Sequence, residues 1–184
     1  VSSEVEIKAV VFENIPRNYD WKKMYEPLSE NTLTRMNPKK NKKINKEYLM
    51  ILKEPTIKLE VNDDIFYSRW VLTITDEENL SQIGNSITIE YNFNADYPFH
   101  PPFVRMIKPR LKRFTGHITS GGAFCLEELT PQKWSPTNSV YTVIQTIKEL
   151  IKIGGGELDV NQSLYTHEEA KISFGKIMKE HGWN

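Results

Sequence analysis

The chain has 184 residues, of which 24 are Lys or Arg and 24 are Asp or Glu, so its formal net charge is zero. This balance gives no overall field that would attract nucleic acid or an anionic membrane. A hydrophobic content of 39%, with eight Tyr, eight Phe and four Trp, predicts one globular domain with an extension rather than disorder. No apolar run approaches the ~20 residues needed to span a bilayer. A single cysteine and a start unlike a signal peptide predict a reducing compartment, cytoplasmic or nuclear.

The first 41 residues are predicted to be an extension of uncertain structure. Alternation from Val5 to Val11 favours a strand, and the segment from Asp20 to Leu28 favours a short helix that ends near Pro27. Residues 29–43 are polar, contain Pro38 and carry a basic run, and we interpret them as a linker. The lysines of that run are predicted to be mostly solvated: Lys39, Lys40, Lys42 and Lys43.

A helix and four strands are predicted next. The helix begins at Asn45, has an apolar face of Tyr48, Leu49, Ile51 and Leu52, and ends before Pro55. Period-two patterns predict strands over 56–61, 66–75, 87–93 and 103–108. Three prolines, Pro98, Pro101 and Pro102, cannot join a strand ladder, so the segment between the last two strands is predicted to be a shaped loop.

Two helices are predicted at the end of the chain. Ser139 or Asn138 caps the first, which Gly154–Gly156 terminates. Thr166 and Glu169 have the spacing of a capping box and begin the second, with a buried face of Ala170, Phe174, Ile177 and Met178. The order of elements predicts an α+β fold with an antiparallel meander.

The only cysteine, Cys125, lies in the stretch from Thr115 to Pro136 and follows Gly121 and Gly122. Glycines allow another part of the backbone to come close. A lone cysteine forms no internal disulfide, and no second cysteine is present for a zinc motif. Two alternatives remain: a small buried hydrophobe, which is the commoner environment of a free cysteine, or a nucleophile.

Three motifs occur in order: Tyr-Pro-Phe-His-Pro-Pro at 97–102, Gly-Ala-Phe-Cys-Leu at 122–126, and Trp-Ser-Pro at 134–136. This order and spacing resembles the ubiquitin-conjugating enzymes, or E2 enzymes. Ordinary members carry His-Pro-Asn, with the Asn eight residues before the catalytic cysteine, whereas this chain has Thr115-Gly116-His117. The chain is similar in four respects to the Q class of the family, which also lacks His-Pro-Asn. Besides that absence, it shares Gly-Gly-Ala before Phe-Cys, Glu-Leu-Thr after it, and the ending Lys-Glu-His-Gly-Trp.

The resemblance covers about residues 42 to 183, so we divide the chain into an extension, 1–41, and a ubiquitin-conjugating (UBC) core domain, 42–184. It implies the E2 fold: an N-terminal helix, a four-stranded antiparallel meander, a cysteine loop and C-terminal helices. It also implies that Cys125 accepts ubiquitin from an activating enzyme (E1) as a thioester. The ubiquitin then passes to a substrate amine or to a ligase (E3). A thiolate suits this chemistry because it attacks well and leaves well.

The same resemblance implies a monomer without metal or cofactor, because ATP is used by the E1. Gly154–Gly156 lacks the Lys-Ser/Thr of a phosphate loop, and the histidines lack metal spacing. The missing His-Pro-Asn leaves open an inactive E2-like variant that binds ubiquitin or a ligase. A redox-sensing thiol is a third alternative, although the chain has no resolving cysteine.

Several residues take candidate roles from the resemblance. His117 occupies the Asn position, where an imidazole N–H would stabilise an oxyanion or order the loop. The alternatives are a general base, a less favoured role, and a ring that is simply exposed on the surface. Candidate acids that orient the acceptor amine are Glu127, Glu157 and Asp159, with solvated acids as the alternative. Candidate partner contacts are Phe99 and Pro136 for ligases, and Lys42, Lys43 and Lys46 for the acidic domain of the E1. Core packing is the alternative for Phe99, and we expect it for Trp134.

Overall fold

The computed structural model describes residues 38–161 and 163–183, and these form a four-stranded sheet with three α-helices. The elements, in chain order, are α1 (Pro38–Leu52), β1 (Ile57–Val61), β2 (Arg69–Thr75), β3 (Ser86–Asn92), β4 (Phe103–Lys108), α2 (Val140–Ile153) and α3 (His167–His181). The predicted α+β class and element order are confirmed. The strand and helix predicted before residue 29 lie outside the described residues. No helix within the described ranges combines the length and apolar character needed to cross a bilayer.

The sheet is antiparallel throughout, in the order β1-β2-β3-β4. Trp70, Leu72 and Ile74 alternate with less buried neighbours along β2, as the period-two pattern predicts. The strand begins at Arg69 rather than at the predicted residue 66. Phe66 belongs instead to the preceding turn, where its carbonyl oxygen accepts a hydrogen bond from Trp70 Nε1 at 2.8 Å. The strand β4 has the predicted bounds.

The helix α1 starts at Pro38, so the interpretation of residues 38–43 as a linker is wrong, and the helix runs through the boundary predicted between residues 41 and 42. Lys40 is only 5% exposed, and its ammonium group donates to the carbonyl of Phe93 at 3.4 Å. Burial lowers the pKa of Lys40 from 10.5 to about 7, against the opposing effect of Asp96. The prediction that this lysine is solvated is therefore also wrong.

The buried face of α1 differs from the predicted one. Leu49 and Leu52 are 59% and 56% exposed, whereas Ile44, Glu47 and Ile51 are buried. Glu47 accepts a hydrogen bond at 2.8 Å from the backbone N–H of Val140, the first residue of α2. A carboxylate is favourable at a helix N-terminus because it complements the unpaired N–H groups. A charged residue thus joins the two helices, and hydrophobic periodicity does not identify such a contact.

The two C-terminal helices have the predicted caps. Ser139 and Thr142 form a capping box for α2, which ends at Gly154, and Thr166 and Glu169 form one for α3. The helix α3 packs against one end of the sheet through a cluster of Phe103, Ala123, Ala170, Phe174 and Met178, separate from the main core.

A buried ionic cluster ties α3 to the sheet. Glu90 of β3 accepts hydrogen bonds from Arg105 of β4 at 3.1 and 3.2 Å and from His167 Nδ1, at the start of α3, at 3.2 Å. Burial by itself would raise the pKa of Glu90, but the hydrogen bonds from His167 and Arg105 outweigh it and lower the pKa to about 2. The carboxylate is therefore ionised at neutral pH and holds three elements together.

Candidate active site

Cys125 follows a tight hairpin, residues 118–124, which we call the cysteine hairpin. Ile118 and Phe124 pair across it as an antiparallel bridge, and Thr119 N donates to the carbonyl of Ala123 at 2.8 Å. The backbone N–H of Cys125 then donates to the carbonyl of His117 at 3.0 Å. This ladder places Cys125 directly opposite His117, so the residue eight positions upstream is its backbone neighbour.

The glycines before the thiol are required by close contacts, as the sequence predicts. A Cβ at Gly121 would overlap the backbone carbonyl of Glu169 in α3. Gly122 has a φ of +94°, and a Cβ there would lie 2.6 Å from the ring of Tyr165. The cysteine hairpin therefore lies directly on the first turn of α3 and on the residue before its cap.

The thiol of Cys125 is free and half-buried, whereas its neighbours Phe124 and Leu126 are 2% and 3% exposed. Burial disfavours the thiolate and so raises the pKa of the Cys125 thiol above its usual value. The side chain is thus more accessible than that of a core cysteine, and it is protonated at neutral pH until a partner or a base takes the proton.

His117 adopts a left-handed conformation, with φ of +56°. A Cβ built on Gly154 would lie 2.8 Å from Cδ2 of His117, so the ring lies against Gly154, at the end of α2. Gly116 N also donates to the carbonyl of Gly154 at 3.0 Å. The structure thus brings the His117 backbone to Cys125 and the His117 ring to the glycine turn after α2.

The candidate acids lie on two different segments. Glu127 is exposed and begins a short 3₁₀ helix, Glu127–Leu129, just after the cysteine. Glu157 and Asp159 lie after α2, on a loop that pairs with the segment before His117. The carboxylate of Glu157 lies 2.9 Å from Lys112 Nζ, and Asp159 N donates to the carbonyl of Arg110 at 2.9 Å. Within the residues that are described, no three His, Cys, Asp or Glu side chains are grouped to hold a metal ion.

The predicted partner loops meet through Trp134. Its indole Nε1 donates to the carbonyl of Pro98 at 2.7 Å and its side chain is 8% exposed, so Trp134 packs in the core as expected. Phe99 is 39% exposed, and Pro136 is also exposed. The hydrogen bond from Trp134 to Pro98 therefore joins the two loops that carry the exposed residues Phe99 and Pro136.

The three predicted lysines of α1 divide into two kinds. Lys42 and Lys46 are exposed, and both remain candidates for an acidic partner. Lys43 instead pairs with Glu47 at 3.1 Å and donates to the carbonyl of Asn138 at 3.0 Å, just before α2. Its ammonium group therefore holds α1 against the segment that leads into α2.

Residues that support the cysteine hairpin were missed in the sequence. The hydroxyl of Thr119 lies 2.7 Å from that of Ser173 in α3, and Tyr165 OH accepts a hydrogen bond from Leu111 N at 2.9 Å. These pairs are separated by 54 positions in the chain. Isolated hydroxyl residues carry no periodic signal, so only the fold shows which of them meet.

Comparison with known proteins agrees with this geometry. The family model described as ubiquitin-conjugating enzyme matches residues 41–180. A Q-like ubiquitin-conjugating enzyme protein of Drosophila melanogaster is 29% identical over 135 residues, covering 67% of this chain and 44% of that protein. The Q-like protein 1 of Homo sapiens, from the same group, is 32% identical over 104 residues, covering 53% of this chain and 63% of that protein. Ubiquitin-conjugating enzyme E2 Q1 of Homo sapiens is 34% identical over 102 residues, covering 53% of this chain and 24% of that protein.

A solved E2 of Plasmodium falciparum superposes with a TM-score of 0.53 at 25% identity, covering 61% of this chain and 97% of that one. The chain belongs to the ubiquitin-conjugating enzyme family. Its similarity to the Q-like proteins and to E2 Q1 confirms the Q class predicted from the sequence. The match spans about a quarter to two thirds of the length of these curated relatives.

Proposed function

We propose that this chain is an active E2 that carries ubiquitin as a thioester on Cys125. The observation that supports this most directly is the half-buried, free thiol at the end of a hydrogen-bonded hairpin, beside two buried neighbours. A nucleophile needs a positioned backbone and an accessible side chain. The backbone of Cys125 is hydrogen-bonded to that of His117, and its side chain is partly exposed.

In the charging step, the Cys125 thiolate attacks the carbonyl carbon of the ubiquitin C-terminal thioester on the E1, and the E1 thiolate leaves. In the transfer step, an amine or a ligase thiolate attacks the carbonyl carbon of the new thioester and Cys125 leaves as thiolate. An attacking amine then loses its proton to a base or to water. Because burial raises the pKa of the Cys125 thiol, its deprotonation is assigned to the complex with the E1. ATP is used by the E1, and no cofactor is assigned to this chain.

Two roles are proposed for His117. An imidazole N–H would stabilise the oxyanion formed during transfer, or the exposed ring, through its contact with Gly154, would order the cysteine hairpin. Contact of the ring with Gly154 and the backbone bond to Cys125 support the ordering role. Glu127, Glu157 and Asp159 are proposed to orient the acceptor amine. Glu157 is already held by Lys112, so an incoming lysine would have to compete with that ion pair.

The partner surfaces follow from the exposed residues. Phe99 and Pro136 are proposed to contact an E3, because exposed aromatic side chains on loops often dominate interface energy. Lys42 and Lys46 are proposed to contact the acidic domain of the E1, whereas the intramolecular contacts of Lys43 give it a smaller part. We propose a monomer that acts in the cytoplasm or the nucleus.

The decisive experiment incubates the chain with an E1, ubiquitin and ATP and resolves the products on gels with and without reductant. We expect an adduct of one ubiquitin that reductant removes. Cys125→Ala abolishes it, and Cys125→Ser gives an oxyester that resists reductant, because an alkoxide is a poorer leaving group than a thiolate. Ser120→Ala, on the same hairpin and exposed, serves as the control and charges normally. A wild-type chain that forms no adduct, or an adduct that persists in Cys125→Ala, refutes the proposal.

A further inference from the structure

Four groups form a directional chain of hydrogen bonds between the cysteine hairpin and α3. Ala123 N–H donates to Thr119 Oγ1 at 2.9 Å, and Thr119 Oγ1 lies 2.7 Å from Ser173 Oγ. Ser173 Oγ–H donates to the carbonyl of Ala170 at 3.2 Å. Because the hydroxyl hydrogen of Ser173 is used by Ala170, Thr119 donates to Ser173, and every link has one direction. We call this chain the hydroxyl relay.

The hydroxyl relay is buried and lies beside a close contact between the hairpin and α3. Thr119 and Ser173 are 5% and 6% exposed, and Ala123 is fully buried. Gly121 lies directly against the carbonyl of Glu169, one turn before Ser173 in the same helix. In such surroundings a hydrogen bond is strong and the loss of one partner is costly, so the relay favours one geometry.

The other side of the hairpin is held by the sheet. Met106 N of β4 donates to the carbonyl of Gly122 at 2.7 Å, and Arg105 pairs with Ala123 as an isolated bridge. The hairpin is therefore fixed between β4 and α3. Without the relay, β4 would still hold its backbone, but no side-chain hydrogen bond would link its turn to α3.

We propose that Thr119 and Ser173 are positioning residues that set the orientation of the Cys125 thiol by fixing the cysteine hairpin on α3. The relay begins at Ala123, two residues before Cys125, so a tilt of the hairpin is transmitted to the thiol through one intervening residue. This inference rests on the proposed function only for its effect on ubiquitin transfer.

The chemical changes can be matched closely. Thr119→Val removes the hydroxyl and keeps the shape, and Thr119→Ser keeps the hydroxyl and loses a methyl group. Ser173→Ala breaks the relay from the side of α3. Because alanine favours helix, we expect this variant to fold, and it provides the test if Thr119→Val does not fold. The control is Thr73→Val, which makes the same change in another hydroxyl pair: Thr73 Oγ1 lies 3.1 Å from Thr88 Oγ1 on the sheet, and neither residue belongs to the relay.

Two readouts are compared at equal folded fraction. The first is the rate of alkylation by iodoacetamide across pH, which reports on Cys125 alone because it is the only cysteine, and which needs no ubiquitin. The second is single-turnover discharge of the charged enzyme to free lysine. We expect the pH dependence of alkylation to shift to lower pH in Thr119→Val and Ser173→Ala. A loosened hairpin exposes the thiol, and exposure removes the burial that raises its pKa. We also expect discharge to slow by at least ~10-fold, because misplacement by about 1 Å can cost ~10²-fold.

Thr119→Ser keeps the hydroxyl and is expected to retain the wild-type alkylation profile and discharge rate. Thr73→Val is expected to match the wild type in both measurements. Wild-type alkylation profiles and discharge rates in folded Thr119→Val and Ser173→Ala overturn the positioning role. So does an equal effect of Thr73→Val, which would indicate a general loss of stability. A wild-type chain that never charges refutes the proposed function alone, since the alkylation comparison still decides whether the relay positions the thiol.

Discussion

Gly121→Ala tests whether the cysteine hairpin lies on α3 as the structure places it. The new Cβ would overlap the carbonyl oxygen of Glu169, which belongs to the backbone of the first turn of α3 and cannot rotate away. The hairpin or the helix has to shift, and overpacking of this kind costs about 1–3 kcal/mol. A rigid backbone obstacle favours the upper end, about 3 kcal/mol, which corresponds to a decrease in Tm of roughly 6–12 °C for a chain of this size.

The assay is thermal unfolding of wild type, Gly121→Ala and a matched control, followed by charging and discharge of each. The control is Gly155→Asn, because a Cβ at Gly155 meets nothing within 4 Å and asparagine tolerates its φ of +62°. We expect the control to stay within about 2 °C of wild type, as an exposed substitution does. A Gly121→Ala variant with the Tm of the wild type and a normal rate of ubiquitin discharge would refute the contact between hairpin and helix.

Three further predictions concern Phe99, His117 and Glu90. Phe99→Ala is expected to weaken ligase-dependent transfer and leave charging nearly intact, and loss of the fold would show instead that Phe99 is a core residue. In single-turnover discharge, His117→Asn should keep much of the rate if His117 acts as a hydrogen-bond donor, whereas His117→Ala loses ~10²-fold; an Asn variant that fails equally would indicate a base. Glu90→Gln is expected to cost about 3 kcal/mol at pH 7, since a carboxyl with a depressed pKa stabilises the fold above its unfolded pKa. The difference in free energy of unfolding between Glu90→Gln and the wild type, measured with urea, should shrink as pH falls from 4.5 towards 2. A difference that stays constant over this range contradicts the stabilising role of the Glu90 carboxylate.

The sheet and the C-terminal helices could be predicted because local patterns encode them. Alternation along β2 is a direct consequence of one buried face, and the capping boxes at Ser139 and Thr166 satisfy N–H groups that every helix leaves open. The start of α1 could not be predicted in the same way. Pro38 and the lysines after it favour a linker by composition, yet Lys40 is buried against a carbonyl that lies 53 positions away.

The site follows the same division. Cys125 and the close contact at Gly121 were predictable because a lone thiol and paired glycines are local features. The support of the thiol was not predictable, because Thr119 meets Ser173 only after α3 docks on the hairpin. The inward-facing Glu47 was missed for the related reason that its partner is the N-terminus of another helix.

The position of His117 bears on how this chain manages without the His-Pro-Asn motif. In the ordinary family, the Asn is assigned either an oxyanion contact or an ordering of the loop. Here the ring at that position lies against Gly154, and the backbone carries the bond to Cys125. The turn of the hairpin is fixed separately, by α3 through Thr119. We therefore propose that loop ordering is shared between the end of α2 and the face of α3, with His117 acting through its backbone bond to Cys125 and the contact of its exposed ring with Gly154. Mutations at Gly154 should therefore affect transfer as strongly as mutations of His117.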